Sequence, residues 1–290
     1  MFLEQLLNGI TLGSTYALIA LGYTMVYGII QLINFAHGEI YMIGAFVGLF
    51  LVAVGANIFL ALLGAMLFCM LLGMIIERVA YRPLRGKSTR LSALISAIGV
   101  SIFLSTLMAL LAQTNTRSYP EVISNRTFHL GSLELSVLQI SILAVAAILM
   151  IGLHLMIQHT RLGKAMRASS QDLDASYLMG INVNRIISAT FAIGSALAAA
   201  GGVMVGVYYH AVWPYMGMMA GLKAFAAAIL GGIGSIPGAM VGGITLGVLE
   251  IMGVAYISPS YKDAIAFGIL IIVLLIRPQG LFGRKIVKKV

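Results

Sequence analysis

Long unbroken apolar stretches alternate with short polar ones along this chain. The stretches lie near residues 6–30, 40–56, 58–77, 91–112, 136–157, 186–209, 219–231, 237–256 and 263–276. A helix needs ~20 mostly apolar residues to cross the ~30 Å hydrocarbon core of a bilayer. The pattern therefore predicts an all-α, polytopic transmembrane helix bundle of about eight or nine spans, with short or broken helices among them. The runs at 40–56 and 219–231 are the least secure because they are short. A membrane β-barrel is excluded, since its strands would show alternating segments of about ten residues instead of continuous apolar runs. No second composition regime interrupts the series, so residues 1–290 read as one transmembrane domain.

Charge adds an orientation. Of 18 Lys and Arg residues, five fall within 78–90, four within 161–185 and five within 277–289. Basic residues gather in cytoplasmic loops, which puts those three segments on one side. Residues 113–136 and 210–218 then lie on the other side. In 113–136 the charges of Arg117, Arg126, Glu121 and Glu134 cancel. Counting back through three spans places the N-terminus outside, where Met1–Gln5 carries no Lys or Arg. That start also lacks the basic region and cleavage site of a signal peptide, so the first stretch is expected to remain as a span.

Composition agrees. The chain is 60% hydrophobic and 9% charged, with a mean hydropathy of +1.02, far from the roughly one-quarter charged content of soluble domains. Its net charge of +9 sits in loops beside apolar runs, which argues for membrane orientation and against nucleic acid. The lone Cys69 allows no intrachain disulfide or zinc cluster, and its apolar surroundings suggest a small buried hydrophobe. Gly9 and Gly13, the series Gly194, Ala198, Gly202 and Gly206, and the series Gly234, Gly238 and Gly242 each repeat at four residues. Such spacing lines one helix face with residues small enough for backbones to approach.

Candidate chemistry is sparse. Two interruptions stand out, Asn34-Phe35-Ala36-His37-Gly38-Glu39 and Gly231-Gly232-Ile233-Gly234-Ser235-Ile236-Pro237-Gly238. Broken helices in both halves point to a midplane site in transporters, although ordinary loops fit the spacing too. Asn34, His37, Glu39, Gly231, Gly232, Gly234 and Pro237 are the translocation-path candidates. Glu250, deep in a span, has no evident basic partner, and Lys223 opens a short span. Gly86-Lys87-Ser88-Thr89 looks like the end of a P-loop, but the required glycine five residues earlier is Tyr81. Any ATP-driven mechanism must then use other subunits. The Asn125-Arg126-Thr127 sequon has no supporting context.

Residues 158–185 are the most informative loop. Ser169 or Ser170 can cap a short helix, aspartates suit its first turn, and Gly180 suits its end. Leu173, Tyr177 and Leu178 would form an apolar face outside the membrane, fit for a groove on another protein or for the lipid interface.

Over nearly its whole length the sequence resembles the LivH-type permeases of bacterial high-affinity branched-chain amino acid ABC transporters. The resemblance rests on Leu12-Gly13-Ser14-Thr15-Tyr16-Ala17-Leu18, on the Asn34 to Glu39 stretch, on Glu77-Arg78-Val79-Ala80-Tyr81-Arg82-Pro83, on Leu94-Ile95-Ser96-Ala97-Ile98-Gly99, and on Leu230-Gly231-Gly232 through Ala239. Such permeases meet their ATPases through a loop patterned Glu-Ala-Ala, three residues, Gly. Asp174-Ala175-Ser176 with Gly180 is similar, with Asp for Glu and Ser for the second Ala. The resemblance thus implies an ATPase-coupling loop carrying Arg161, Gly163, Arg167, Asp174, Ala175, Ser176, Leu178 and Gly180. It also implies a non-enzymatic subunit in the bacterial inner membrane without a cofactor of its own, ATP and Mg²⁺ residing on partners. Those partners are a second related permease, two ABC ATPases and a periplasmic binding protein for leucine, isoleucine or valine. Two alternatives are a related permease for amides, urea or sugars and a proton-coupled secondary transporter using Glu250 or Glu39. A structural scaffold is a more distant one.

Overall fold

The computed structural model describes residues 2–85, 90–123, 126–130 and 133–283. Gly86 to Thr89, Asn125 of the sequon and the basic residues from Arg284 onward lie outside that set.

Backbone N–H and C=O groups find no water in hydrocarbon, so the apolar runs satisfy them as helices. The order is α1 (Phe2–Ile30), α2 (His37–Ala53), α3 (Ile58–Ile76), α4 (Arg90–Ala112), α5 (Val137–His159), α6 (Arg161–Gln171), α7 (Leu173–Leu178), α8 (Val183–Tyr209), α9 (Met216–Gly231), α10 (Ile236–Tyr256) and α11 (Lys262–Ile276). Among the described residues, seven helical stretches are long and apolar enough to cross a membrane, while α2 and α9 are apolar but shorter. This is a multi-pass membrane protein. The short runs foreseen in the sequence are thus the short helices, each starting three residues earlier than the apolar pattern indicates.

α1 and α8 form the buried centre, with 83% and 89% of their most apolar stretch covered, against 17% for the stretch Leu91–Ala112 and 6% for Pro259–Ile276. Lipid tails are as apolar as Leu, so the peripheral helices keep large side chains outward and small residues mark the contacts. A methyl group on Gly13 of α1 would lie 2.7 Å from Ile244 Cα, and one on Gly247 of α10 only 2.3 Å from Gly13 Cα. Along α8, Gly194 faces Gly22, Gly202 faces the Tyr41 carbonyl, and Gly206 faces Tyr119 and Val212. Gly238 and Gly242 pack α10 on α9, but Gly234 precedes α10, where an added methyl would have open space. Cys69 is buried and free.

The two ends of the bundle differ. At one end β1 (Arg117–Ser118) pairs antiparallel with β4 (Ala211–Val212), the Tyr119 N–H donates to the His210 carbonyl at 2.9 Å, and β2 (Thr127–Leu130) pairs with β3 (Leu133–Ser136). These short strands, absent from the sequence reading, join the loops at this end of the helical bundle. At the opposite end the first two basic segments meet, Arg85 Nη1 donating to Asn184 Oδ1 at 3.2 Å. The chain after α11 returns to the α9–α10 turn there, where the N–H groups of Leu281 and Phe282 donate to the carbonyls of Leu230 and Gly231.

Candidate functional site

The first interruption, residues 31–36, runs from the exposed Gln31 to the buried Asn34. Asn34 is 2% exposed, and its Oδ1 accepts from the Ala36 N–H at 3.1 Å and from the Tyr81 hydroxyl at 2.8 Å. His37 opens α2 with Nε2 3.2 Å from the Ile19 carbonyl and its ring 4.7 Å from that of Tyr23. Glu39, two residues on, accepts from Ser101 Oγ of α4 at 3.2 Å through Oε1. Its Oε2 is buried without a hydrogen-bond partner among the described residues. Asn34, His37 and Glu39 are thus all buried, with their side chains directed to different neighbours: Tyr81, the Ile19 carbonyl and Tyr23, and Ser101. The first turns of α2 and α9 meet closely, since a methyl on Gly38 would lie 2.3 Å from the Gly217 carbonyl.

The second interruption is a tight turn between two packed helices. Gly232 and Gly234 adopt φ of +101° and +90°, values that disfavour any side chain. Ser235 caps α10, and Pro237 occupies its first turn. A methyl on Gly231 would lie 1.9 Å from the Gly238 carbonyl, so this glycine serves close packing. Ile33 from the first interruption and Ile233 from the second line one narrow apolar cleft with Tyr23, Tyr27, Phe225 and Ala228. Segments some two hundred residues apart along the chain thus share one place in the fold.

In the 158–185 loop the helix boundaries differ from the sequence reading. Ser169 and Ser170 belong to the last turn of α6, and the cap of α7 is Asp172, whose Oδ1 accepts from the Ala175 N–H at 2.9 Å. Gly180, at φ +81°, ends the turn as foreseen. Leu173 packs half-buried on the core and Ser176 is buried, so the free apolar face is Tyr177, Leu178 and Met179 at 74%, 84% and 83% exposure. Asp174 and Ala175 are exposed beside it. Arg161 is exposed at the start of α6. Gly163 lets α6 fold back on α5, since a methyl there would lie 2.2 Å from the Ile157 carbonyl. Arg167 Nη1 donates to the Ile157 and Gln158 carbonyls at 2.6 and 3.1 Å. That guanidinium covers otherwise unsatisfied acceptors at the end of α5.

Two charged centres escaped the sequence reading. Glu250 does have basic partners: Lys223 Nζ of α9 is 2.9 Å and Lys262 Nζ of α11 3.3 Å from its Oε1, which also accepts from the Tyr16 hydroxyl at 3.3 Å. Lys223 also reaches Asp263 Oδ1 at 2.6 Å. Two cations and two anions meet here, so Glu250 is part of an ion cluster joining three helices. The second centre is Glu77, fully buried just beyond α3, paired with Arg85 and accepting from Ser188 Oγ of α8 at 2.6 Å. The signal in both cases was an acid in an apolar run; Arg85 lies near Glu77 along the chain, but Ser188, Lys223 and Lys262 approach only through tertiary packing.

Residues 5–274 match the family described as branched-chain amino acid transport system / permease component. The chain is 48% identical to the high-affinity branched-chain amino acid transport system permease protein LivH of Escherichia coli (strain K12), covering 100% of this chain and 98% of that one. It is 49% identical to the corresponding protein BraD of Pseudomonas aeruginosa, with the same coverage. Among solved structures, PsaBC from Streptococcus pneumoniae in complex with Fab aligns over 97% of this chain and 94% of that one with a TM-score of 0.54. At 15% identity that match speaks for the fold alone.

Proposed function

This chain belongs to the family of permease components of branched-chain amino acid transport systems, and we propose from that membership that it passes leucine, isoleucine and valine across the bacterial inner membrane. In this reading it is one of two related permeases in an ABC importer. A periplasmic binding protein delivers the amino acid, and two ATPase subunits holding ATP and Mg²⁺ drive the cycle.

The observation that supports a motor-driven permease is the turn at the end of α7. Leu178 is 84% exposed, flanked by Tyr177 and Met179, on a helix held by the Asp172 cap at its start and Gly180 at its end. An apolar knob on a polar loop fits a groove on a partner protein. Closure of the ATPase pair would displace α7, and with it α8, which starts only a few residues later. The buried break at Asn34, His37 and Glu39 and the apolar cleft lined by the neighbouring Ile33 and by Ile233 mark the proposed passage. Specificity rests mostly with the soluble receptor, so the passage is permissive.

The test is uptake of labelled leucine into proteoliposomes holding the complete transporter, with ATP inside the reach of the ATPases. Uptake that requires ATP and the binding protein supports the reading. Uptake by the purified chain alone under a pH gradient, without ATP, overturns it in favour of a secondary transporter. Exchanging the binding protein for one specific for amides, urea or sugars separates the related substrate classes.

A further inference from the structure

The segment beyond α3 does not continue as a regular helix. It forms a single π turn at Glu77–Tyr81, in which the Arg82 N–H donates to the Glu77 carbonyl five residues back. Such turns displace a helix by one residue and gather at functional sites. Three side chains of this segment reach α8. Arg85 Nη1 donates to Asn184 Oδ1 at 3.2 Å, Glu77 Oε2 accepts from Ser188 Oγ at 2.6 Å, and the Tyr81 ring packs at a tilt with its centroid 5.1 Å from that of Phe191. Positions 184, 188 and 191 fall on one helical face, so the segment 77–85 lies along the first turns of α8 like a strap. The Tyr81 hydroxyl continues inward to Asn34 Oδ1 at 2.8 Å, and Asn34 in turn bonds the residues that start α2, its carbonyl accepting from the His37 N–H at 3.0 Å.

α8 begins at Val183, directly after the loop that closes α7, where the Ile181 N–H donates back to the Ser176 carbonyl at 3.0 Å. A continuous hydrogen-bonded and packed route therefore leads from the exposed turn of α7 to the first interruption. We propose that Glu77 and Tyr81 are positioning residues that carry displacement of α7 and α8 to the Asn34 break, linking the motor contact to the passage. Glu77 fixes the strap to α8, and Tyr81 passes the movement to Asn34. This rests on the reading of α7 as the ATPase contact.

The experiment uses the complete transporter in proteoliposomes and measures ATP hydrolysed per leucine taken up. Tyr81→Phe removes the hydroxyl that reaches Asn34 while retaining the ring against Phe191. It is expected to raise that ratio about fivefold with ATP hydrolysis little changed, within the range found for mutations along coupling routes. Asn34→Leu should give the same ratio, and the pair together no more than either alone. Asn34→Asp, which keeps an acceptor oxygen, should restore most coupling. Ser188→Ala tests the Glu77 end and should also raise the ratio. A merely structural role lowers hydrolysis, uptake and folded yield together and leaves the ratio unchanged; an unchanged ratio in Tyr81→Phe and Ser188→Ala overturns the proposal. Leu178→Asp, measured alongside, separates the two levels. If it abolishes substrate-stimulated hydrolysis while Tyr81→Phe has no effect on coupling, the strap fails alone. If Leu178→Asp is silent, the reading of α7 fails with it.

Discussion

Lys223 and Glu250 form a buried ion pair, Nζ to Oε1 2.9 Å, between α9 and α10. Lys223 is 6% and Glu250 0% exposed at the side chain, and the same ammonium reaches Asp263 of α11. Removing water from two charges is repaid only when each finds its partner, which makes this cluster stringent about how three helices meet.

Lys223→Met leaves Glu250 facing Lys262 alone and should cost about 3 kcal/mol, in the range for breaking a buried pair. Adding Glu250→Leu to that variant should recover part of the loss. Thermal unfolding of the detergent-purified protein checks both; an unchanged midpoint in Lys223→Met contradicts the pairing.

Arg167→Ala exposes the carbonyls of Ile157 and Gln158 at the α5 end. The expected cost is local and about 1–2 kcal/mol, as for charge-assisted bonds at a helix C-terminus. Hydrogen exchange of residues 157–163 should quicken, and Arg167→Lys should rescue much of it, since one guanidinium nitrogen, Nη1, makes both contacts and a single ammonium can replace it.

Gly13→Val should prevent α1 and α10 from closing, because the added carbon meets the Ile244 backbone at 2.7 Å. Folded yield should fall sharply. Gly99→Ala, which meets nothing within 4 Å, should be neutral or stabilise by about 0.5–1 kcal/mol, the usual gain of Ala over Gly inside a helix.

Asp172→Ala removes the cap of a six-residue helix. A lost cap costs about 1 kcal/mol, much for so short an element, so leucine uptake should fall while the chain remains folded. Asp172→Asn keeps an accepting oxygen and should retain uptake.

The long helices were legible because lipid imposes one solution on an apolar run, and small residues at four-residue spacing marked α1, α8 and α10 as contact helices. The starts of α2 and α9 were less clear: His37, Gly38 and Glu39 interrupt the apolar pattern yet are helical and buried, while Met216, Gly217 and Met218 extend the apolar run by one turn at its start. The α7 cap was misplaced by a few residues, since Ser169, Ser170 and Asp172 all suit an N-terminus and packing of α6 decides among them. Asn34, His37 and Glu39 could be singled out as polar residues at a break. The partners of Glu77 and Glu250 could not, because Ser188, Lys223 and Lys262 approach them only through tertiary packing. The strands β1 and β4 are two residues each and lie about a hundred residues apart along the chain, too short and too distant for a pattern to reveal.

The orientation of α7 decides whether a motor subunit can grip it. Ala175→Cys places an exposed thiol there, while the native Cys69 is buried against reagent. Labelling with a membrane-impermeant maleimide should succeed in inside-out vesicles and fail in spheroplasts. Labelling in intact spheroplasts would put the Tyr177-Leu178-Met179 knob on the side without ATP and contradict an ATPase contact at this turn.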